Sequence, residues 1–152
     1  MFTFFNLVKY LHILLAIIAV GFNLTYSIWL VRGQRNPEHL DFALRGVKIL
    51  DDYVANPAYV LLLISGLTMV FLAHYSFTTF WILWALILFG IAIVLGAAIY
   101  TPTLSRQIKV LAAEGHNSKT FQALSARGTI AGIALGVLVL LILVLMIFKP
   151  TF

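Results

Sequence analysis

The stretch from Phe80 to Tyr100 reads FWILWALILFGIAIVLGAAIY and contains no Asp, Glu, Lys or Arg. About 20 apolar residues in a helix are enough to cross a hydrocarbon layer about 30 Å thick. Inside lipid, every backbone N–H and C=O must be paired within a helix or around a closed barrel. The stretch lacks the period-two alternation of barrel strands. It therefore predicts a membrane-spanning helix.

Three further blocks of similar length also lack charged residues, and they cover residues 10–31, 54–73 and 128–148. The whole chain is 62% hydrophobic and 10% charged, whereas soluble domains have about 45–50% apolar and about 25% charged residues. This excess of apolar residues is too large to be buried in the core of one water-soluble domain. The sequence predicts that residues 1–152 form a single all-α domain, an integral membrane four-helix bundle with spans at about 10–31, 54–73, 80–100 and 128–148.

The basic residues indicate the orientation of the bundle. Eight of the ten lie in the two long connections: Arg32, Arg35, Arg45, Lys48, Arg106, Lys109, Lys119 and Arg127. The link at residues 74–79 has none. The positive-inside rule places both connections in the cytoplasm and the N- and C-termini outside, as in a bacterial-type inner membrane. Topology and anionic lipid explain the net charge of +5 better than nucleic acid does, so no nucleic-acid partner is predicted.

The first connection carries a helix signal. Asn36-Pro37-Glu38 is a typical helix start, and the apolar residues that follow recur at helical spacing: Leu40, Ala43, Leu44, Val47 and Leu50. This pattern predicts a short amphipathic cytoplasmic helix on the inner membrane surface. Asp51 and Asp52 are expected to cap the second span at that surface. The third span is expected to continue past Pro102, and the fourth helix to begin near Thr120, so the two form a long hairpin.

His12 is the main site candidate because polar groups inside a membrane are rare. Its helical face continues through Ala16, Ala19 and Asn23, and such a face should point into the bundle. An imidazole above small residues suits an axial ligand of haem iron. A histidine at this depth can also simply bond a neighbouring carbonyl or a lipid headgroup, and the pattern leaves both interpretations open.

Two further residues could complete such a haem site. Lys9 lies one turn farther out, where it could pair with a propionate. His74 follows the second span and, if the first two spans are antiparallel neighbours, lies within about 6 Å of His12 in depth, so it is the candidate second ligand. Alternatively, His74 is an ordinary loop histidine at the membrane interface that binds no iron. His39 and His116 lie in the connections, on the other side of the membrane.

Small residues at intervals of four mark the fourth span: Gly128, Gly132 and Gly136. Such ridges allow close helix contact in lipid. The contact is expected inside the bundle or with the subunit of a membrane complex, and the sequence leaves both open.

A resemblance adds to this interpretation. The motif Lys9-Tyr10-Leu11-His12 with a later Gly21, and Asn56-Pro57 followed by Gly66, resembles a family of small predicted integral membrane proteins. That family looks related to the membrane domain of copper-resistance protein D and to HemJ-type protoporphyrinogen oxidases. The second relation implies haem b bound by a histidine in the first span, the position of His12. The HemJ-type enzymes also use a lysine in a later span, and this sequence has no Lys or Arg between Val54 and Tyr100.

Three function hypotheses follow. The first is a small haem-b-binding membrane protein with a redox or haem-metabolic role. The second is a structural or accessory subunit of a larger membrane complex without a cofactor of its own. The weakest is a copper or small-solute permease, since the three methionines are not clustered and no carboxylate lies inside a predicted span. The absence of cysteine excludes disulfides and zinc–thiolate sites.

Overall fold

The computed structural model describes residues 3–151, and this part of the chain is helical, with no strand. The α-helices are α1 (Phe4–Arg35), α2 (Leu40–Leu50), α3 (Asn56–Leu72), α4 (Phe80–Leu95), α5 (Thr101–Glu114) and α6 (Lys119–Phe148). The prediction of an all-α fold is confirmed.

The helices join into four rods that are long and apolar enough to cross a membrane. Helix α1 and helix α6 are rods by themselves, while α2 continues into α3 and α4 continues into α5. The rods contain 32, 36, 35 and 30 residues, which at 1.5 Å per residue gives about 45–54 Å. A hydrocarbon layer is only about 30 Å thick, so each rod extends beyond it. The four membrane-capable helices predicted from the sequence are confirmed.

The two ends of the bundle differ in charge. We call the end with the α1–α2 and α5–α6 turns the basic end, because eight basic residues lie near it. The opposite end, with the start of α1, the end of α6 and the α3–α4 link, is called the terminal end. The largest buried cluster belongs to the basic half and includes Tyr26, Leu40, Leu44, Val47, Ala55, Tyr100, Leu104, Phe121 and Ala131. The outward faces remain apolar: Ile17, Val94 and Ile133 are 64%, 65% and 63% exposed. Such surfaces suit contact with lipid.

Each rod has a preferred partner. Helix α1 lies along α3, α4 lies along α6, and α5 packs against α6. The α5–α6 turn contains Gly115, whose φ of +80° favours glycine over residues with a Cβ. Ser118 then caps α6 by accepting a hydrogen bond from the backbone N–H of Phe121 at 3.1 Å. The third and fourth rods therefore form a long hairpin that extends beyond the spans.

Helix α2 occupies the first connection, but its apolar stripe does not face headgroups. Leu40, Leu44 and Val47 are at most 2% exposed, and α2 packs against α1 and α5. Because α2 continues into α3, it belongs to the bundle, and its stripe is covered by α1 and α5. The expected surface orientation is wrong because protein partners are available to cover the stripe.

A π turn interrupts the second rod and another interrupts the third. The first covers Asp51–Ala55 and the second covers Gly96–Tyr100. Each ends two residues before a proline, Pro57 or Pro102. Proline lacks an N–H and its ring clashes with the carbonyl four residues earlier, so the wider turn accommodates it. The third rod does continue past Pro102, as predicted, with a π turn just before it.

The glycine ridge on α6 is used partly inside the chain. A Cβ added at Gly128 would lie 3.3 Å from the Gln107 side chain, and one at Gly132 would lie 3.5 Å from the Tyr100 ring. Gly136 has open space at this position. Two of the three glycines therefore serve the contact of α6 with the third rod, and they do not favour an external subunit.

Gly33 marks the closest approach of α1 and α2. A Cβ at this position would lie 3.0 Å from the Ala43 Cβ and 3.3 Å from the Leu40 Cα. We expect Gly33→Leu to destabilise the protein by about 1–3 kcal/mol, because an overpacked contact must separate the helices. Thermal unfolding in detergent measures the effect. Gly21→Leu is the matched control, since nothing lies within 4 Å of a Cβ at Gly21; equal effects would contradict the proposed crossing.

Candidate functional site

His12 lies in the N-terminal half of α1, toward the terminal end of the bundle, and is half-buried against α3. Its Nδ1 is 2.8 Å from the Ser65 Oγ. The Ser65 hydroxyl donates to the Leu61 carbonyl at 2.7 Å, so its single proton is already in use. In the tautomer with the ring proton on Nδ1, His12 donates to Ser65 Oγ. The neutral imidazole then keeps a lone pair on Nε2.

Gly66 makes room for this imidazole. A Cβ added at Gly66 would lie 3.2 Å from the His12 Cε1, closer than ordinary van der Waals contact. His12 and Gly66, two residues of the motifs that carry the family resemblance, are thus in direct contact. The ring is held by α3 on one side, with Nε2 directed away from its partner Ser65.

The remainder of the predicted stripe belongs to the contact between α1 and α3. Ala19 is fully buried and packs with Ala58 and Leu62, while Ala16 is half-buried beside them. The Asn23 amide donates to the Ala19 carbonyl at 3.1 Å and to the Tyr59 hydroxyl. The small residues thus allow α3 to pack closely against α1, and they leave no space for a porphyrin plane beside Ala19. Lys9 is exposed, one turn outward from His12.

His74 does not lie beside His12. The imidazole of His12 is level with Ser65 and Gly66, whereas α3 ends at Leu72, about 9 Å farther along the axis. His74 follows in the turn, exposed and with a left-handed φ of 54°. The expected depth match within about 6 Å is not found, because His12 meets the middle of α3 rather than its end. Ligation by a pair of these histidines is therefore not supported.

Metal ligands are sparse elsewhere. Among residues 3–151, no group of three or more His, Asp or Glu side chains is arranged to hold a metal ion. Haem iron needs only one or two axial ligands from the protein, so this finding bears on a bare metal site and not on haem. His39 and His116 are both exposed near the basic end.

A second polar cluster lies in the basic half, and sequence reasoning missed it. Asp51 is only 5% exposed, and its Oδ2 accepts a hydrogen bond from the Thr101 Oγ1 at 2.8 Å. The expectation that Asp51 caps a helix at the surface is wrong, because the third rod covers it. Asp52 is the more exposed neighbour and pairs with Lys48. The two X-Pro pairs, Asn56-Pro57 and Thr101-Pro102, were the available signal, since both mark disturbed helix at this level.

Residues 6–150 match a family described as predicted integral membrane protein, DUF2269. The chain belongs to this family. The match covers nearly all of the chain, and its description agrees with the four apolar rods. Comparisons with curated proteins and with solved structures found no match. Membership of the DUF2269 family gives the class of protein, and the chemistry must be argued from the residues themselves.

The donor chemistry of His12 fits an axial haem ligand. In metal sites, the ligating histidine usually donates its other ring N–H to an oxygen acceptor, which fixes the tautomer and the ring orientation. The Nδ1–Ser65 hydrogen bond supplies this arrangement. Ala19 and Asn23 are committed to helix packing, so the residues that fit are His12, Ser65 and Gly66. Lys9 remains a predicted partner for a propionate.

Proposed function

We propose that this protein binds haem b through the Nε2 of His12 and serves a redox or haem-metabolic role in a bacterial-type inner membrane. One observation carries the proposal: Nδ1 is engaged by Ser65, so the lone pair on Nε2 is left for iron. Haem, when bound, supplies one-electron chemistry. The resemblance of the His12 motif to HemJ-type proteins supports the same assignment.

The chain itself would contribute orientation and a low-dielectric surrounding. Ser65 holds the imidazole through Nδ1, and Gly66 leaves space for the ring. His12 itself is half-buried, and the apolar face of α1 around it would lie in lipid. Shielding of this kind tunes the redox potential of a bound haem.

An absorption spectrum tests this function. The protein is expressed with haem available, purified in detergent and examined by the pyridine haemochrome assay. We expect a Soret band and haem b at a stoichiometry near one per chain. Protein that folds as a helical bundle but carries no haem under these conditions would refute the proposal.

The proposed location includes an orientation, with the basic end in the cytoplasm. Because the chain has no cysteine, single-cysteine labelling needs no background removal. A membrane-impermeant maleimide should label Thr151→Cys in intact spheroplasts and Asn117→Cys only after permeabilisation. Both positions are exposed, at opposite ends of the bundle. Labelling of Asn117→Cys in intact spheroplasts, with Thr151→Cys protected, would reverse the orientation.

A further inference from the structure

The two π turns are joined by a side-chain contact between distant parts of the chain. Asp51 begins the first π turn, and Thr101 directly follows the second. The Thr101 hydroxyl donates to Asp51 across the interface of the second and third rods. Turns of this kind occur frequently at functional sites. The buried carboxyl of Asp51 therefore lies where both the second and the third rod depart from regular α-helix.

The carboxyl of Asp51 has only neutral hydrogen-bond donors. The Thr101 hydroxyl donates at 2.8 Å. Lys48, the basic residue on the preceding turn, is paired with Asp52. Within residues 3–151, no Lys or Arg forms an ion pair with Asp51. An ionised carboxylate that is buried without a counter-charge costs several kcal/mol.

Tyr26 brings an unsatisfied hydroxyl to the same level. It is 2% exposed, and its hydroxyl has no hydrogen-bond partner among the described residues. Asp51, Tyr100 and Tyr59 all lie within electrostatic range of this hydroxyl. A buried hydroxyl without a partner costs about 1–3 kcal/mol. Tyr26 and Asp51 are thus two buried polar groups, one without a hydrogen-bond partner and the other without an ion pair among the described residues.

We propose that Asp51 and Tyr26 form a proton-binding site, in which Asp51 carries the proton and the Tyr26 hydroxyl, which has no hydrogen-bond partner among the described residues, becomes the acceptor for the O–H of the neutral acid. The half-exposed Lys48–Asp52 pair lies one turn from Asp51, so the proton exchanges with the aqueous phase at the basic end.

The charged and titratable neighbours are consistent with this assignment. They are Lys48 and Asp52 on the same rod, Tyr26 from α1, Tyr59 from α3 and Tyr100 from the second π turn. Burial raises the pKa of the Asp51 carboxyl above its usual range, and the hydrogen bond from Thr101 works in the opposite direction. Tyr26 follows His12 by 14 residues, or about 21 Å along α1. The proton site therefore stands or falls independently of haem binding.

Infrared spectroscopy of the full-length protein in lipid tests the proposal. We expect the C=O band of a protonated, D2O-sensitive carboxylic acid to titrate at a higher pH than that of an ordinary Asp, which is about 4. The band should vanish in Asp51→Asn and remain in Asp41→Asn, whose exposed carboxylate pairs with Arg45. Tyr26→Phe should keep the band but move its titration midpoint to lower pH. Absence of the band in the wild type, or its persistence in Asp51→Asn, overturns the proposal.

Stability supplies a second readout with a defined sign. Because the folded-state pKa of Asp51 is raised, the native protein retains a proton that the unfolded chain releases at about pH 4. Wild-type stability should therefore fall relative to that of Asp51→Asn as the pH rises from about 4 through the folded pKa. A sodium ion at the site would instead stabilise the wild type in NaCl over choline chloride, without a carboxylic acid band. That outcome would overturn proton binding.

Discussion

Replacing His12 with alanine should yield a folded protein that purifies with essentially no haem, while His74→Ala and His116→Ala keep the wild-type haem content. His12 is half-buried in α1 and its Nε2 is the lone pair that the proposal assigns to iron. His74 lies beyond the end of α3 and His116 near the basic end, so neither can replace it. Pyridine haemochrome content per chain measures the effect.

Two further results decide whether His12 is the ligand. Ser65→Ala removes the acceptor of the Nδ1 proton but leaves the imidazole in place. Loss of such an outer partner typically weakens metal binding 10–100-fold, so this variant should bind haem weakly rather than not at all. If His12→Ala retains haem with an unchanged spectrum, the iron is ligated elsewhere or the haem is adventitious.

Composition was enough to predict the class of fold, because the preference of each charge-free stretch for lipid depends only on the residues within that stretch. The block from Phe80 to Tyr100 lies within the rod Phe80–Glu114. Helix ends also depend on local residues, as in the α5–α6 turn, where Gly115 has a positive φ and Ser118 caps α6.

Features that depend on distant partners could not be predicted in this way. Asp51 resembles a surface cap in the sequence, and only the packing of Thr101, 50 positions later, makes it a buried acceptor. Helix α2 resembles a surface helix because its stripe is apolar, but α1 and α5 cover that stripe. An amphipathic pattern shows which face is buried and does not show whether lipid or protein buries it.

The candidate site was predicted in part for the same reason. Spacing correctly identified the face of α1 that carries His12, Ala19 and Asn23, and this face meets α3. Spacing could not show how α3 is aligned along it. The alignment puts Ser65 and Gly66, not His74, opposite His12. Sliding α3 along α1 by eight residues would not alter the spacing of residues within either helix. It would, however, change which α3 residue lies opposite His12.

Leu44→Ala should destabilise the protein by about 2–5 kcal/mol, the usual cost of removing a fully buried leucine side chain. Leu44 is 1% exposed, in the buried cluster where α2 meets Leu104 and Phe121. Unfolding in mixed micelles with increasing SDS measures the change. Leu141→Ala is the matched control, since Leu141 is 47% exposed on the outer face of α6 and its side chain should exchange protein contact for lipid at little cost.

The comparison of these two variants distinguishes the two environments available to α2. If α2 lay on the membrane surface, detergent or lipid would fill the space left by Leu44, and the two variants would behave alike. If protein covers the stripe, the cavity stays between rigid helices and its lost contacts are not replaced. A large loss of stability for Leu44→Ala but not for Leu141→Ala would therefore show that protein contacts hold α2. These contacts would then also support the Asp51–Thr101 hydrogen bond, because α2 continues directly into the π turn that begins at Asp51.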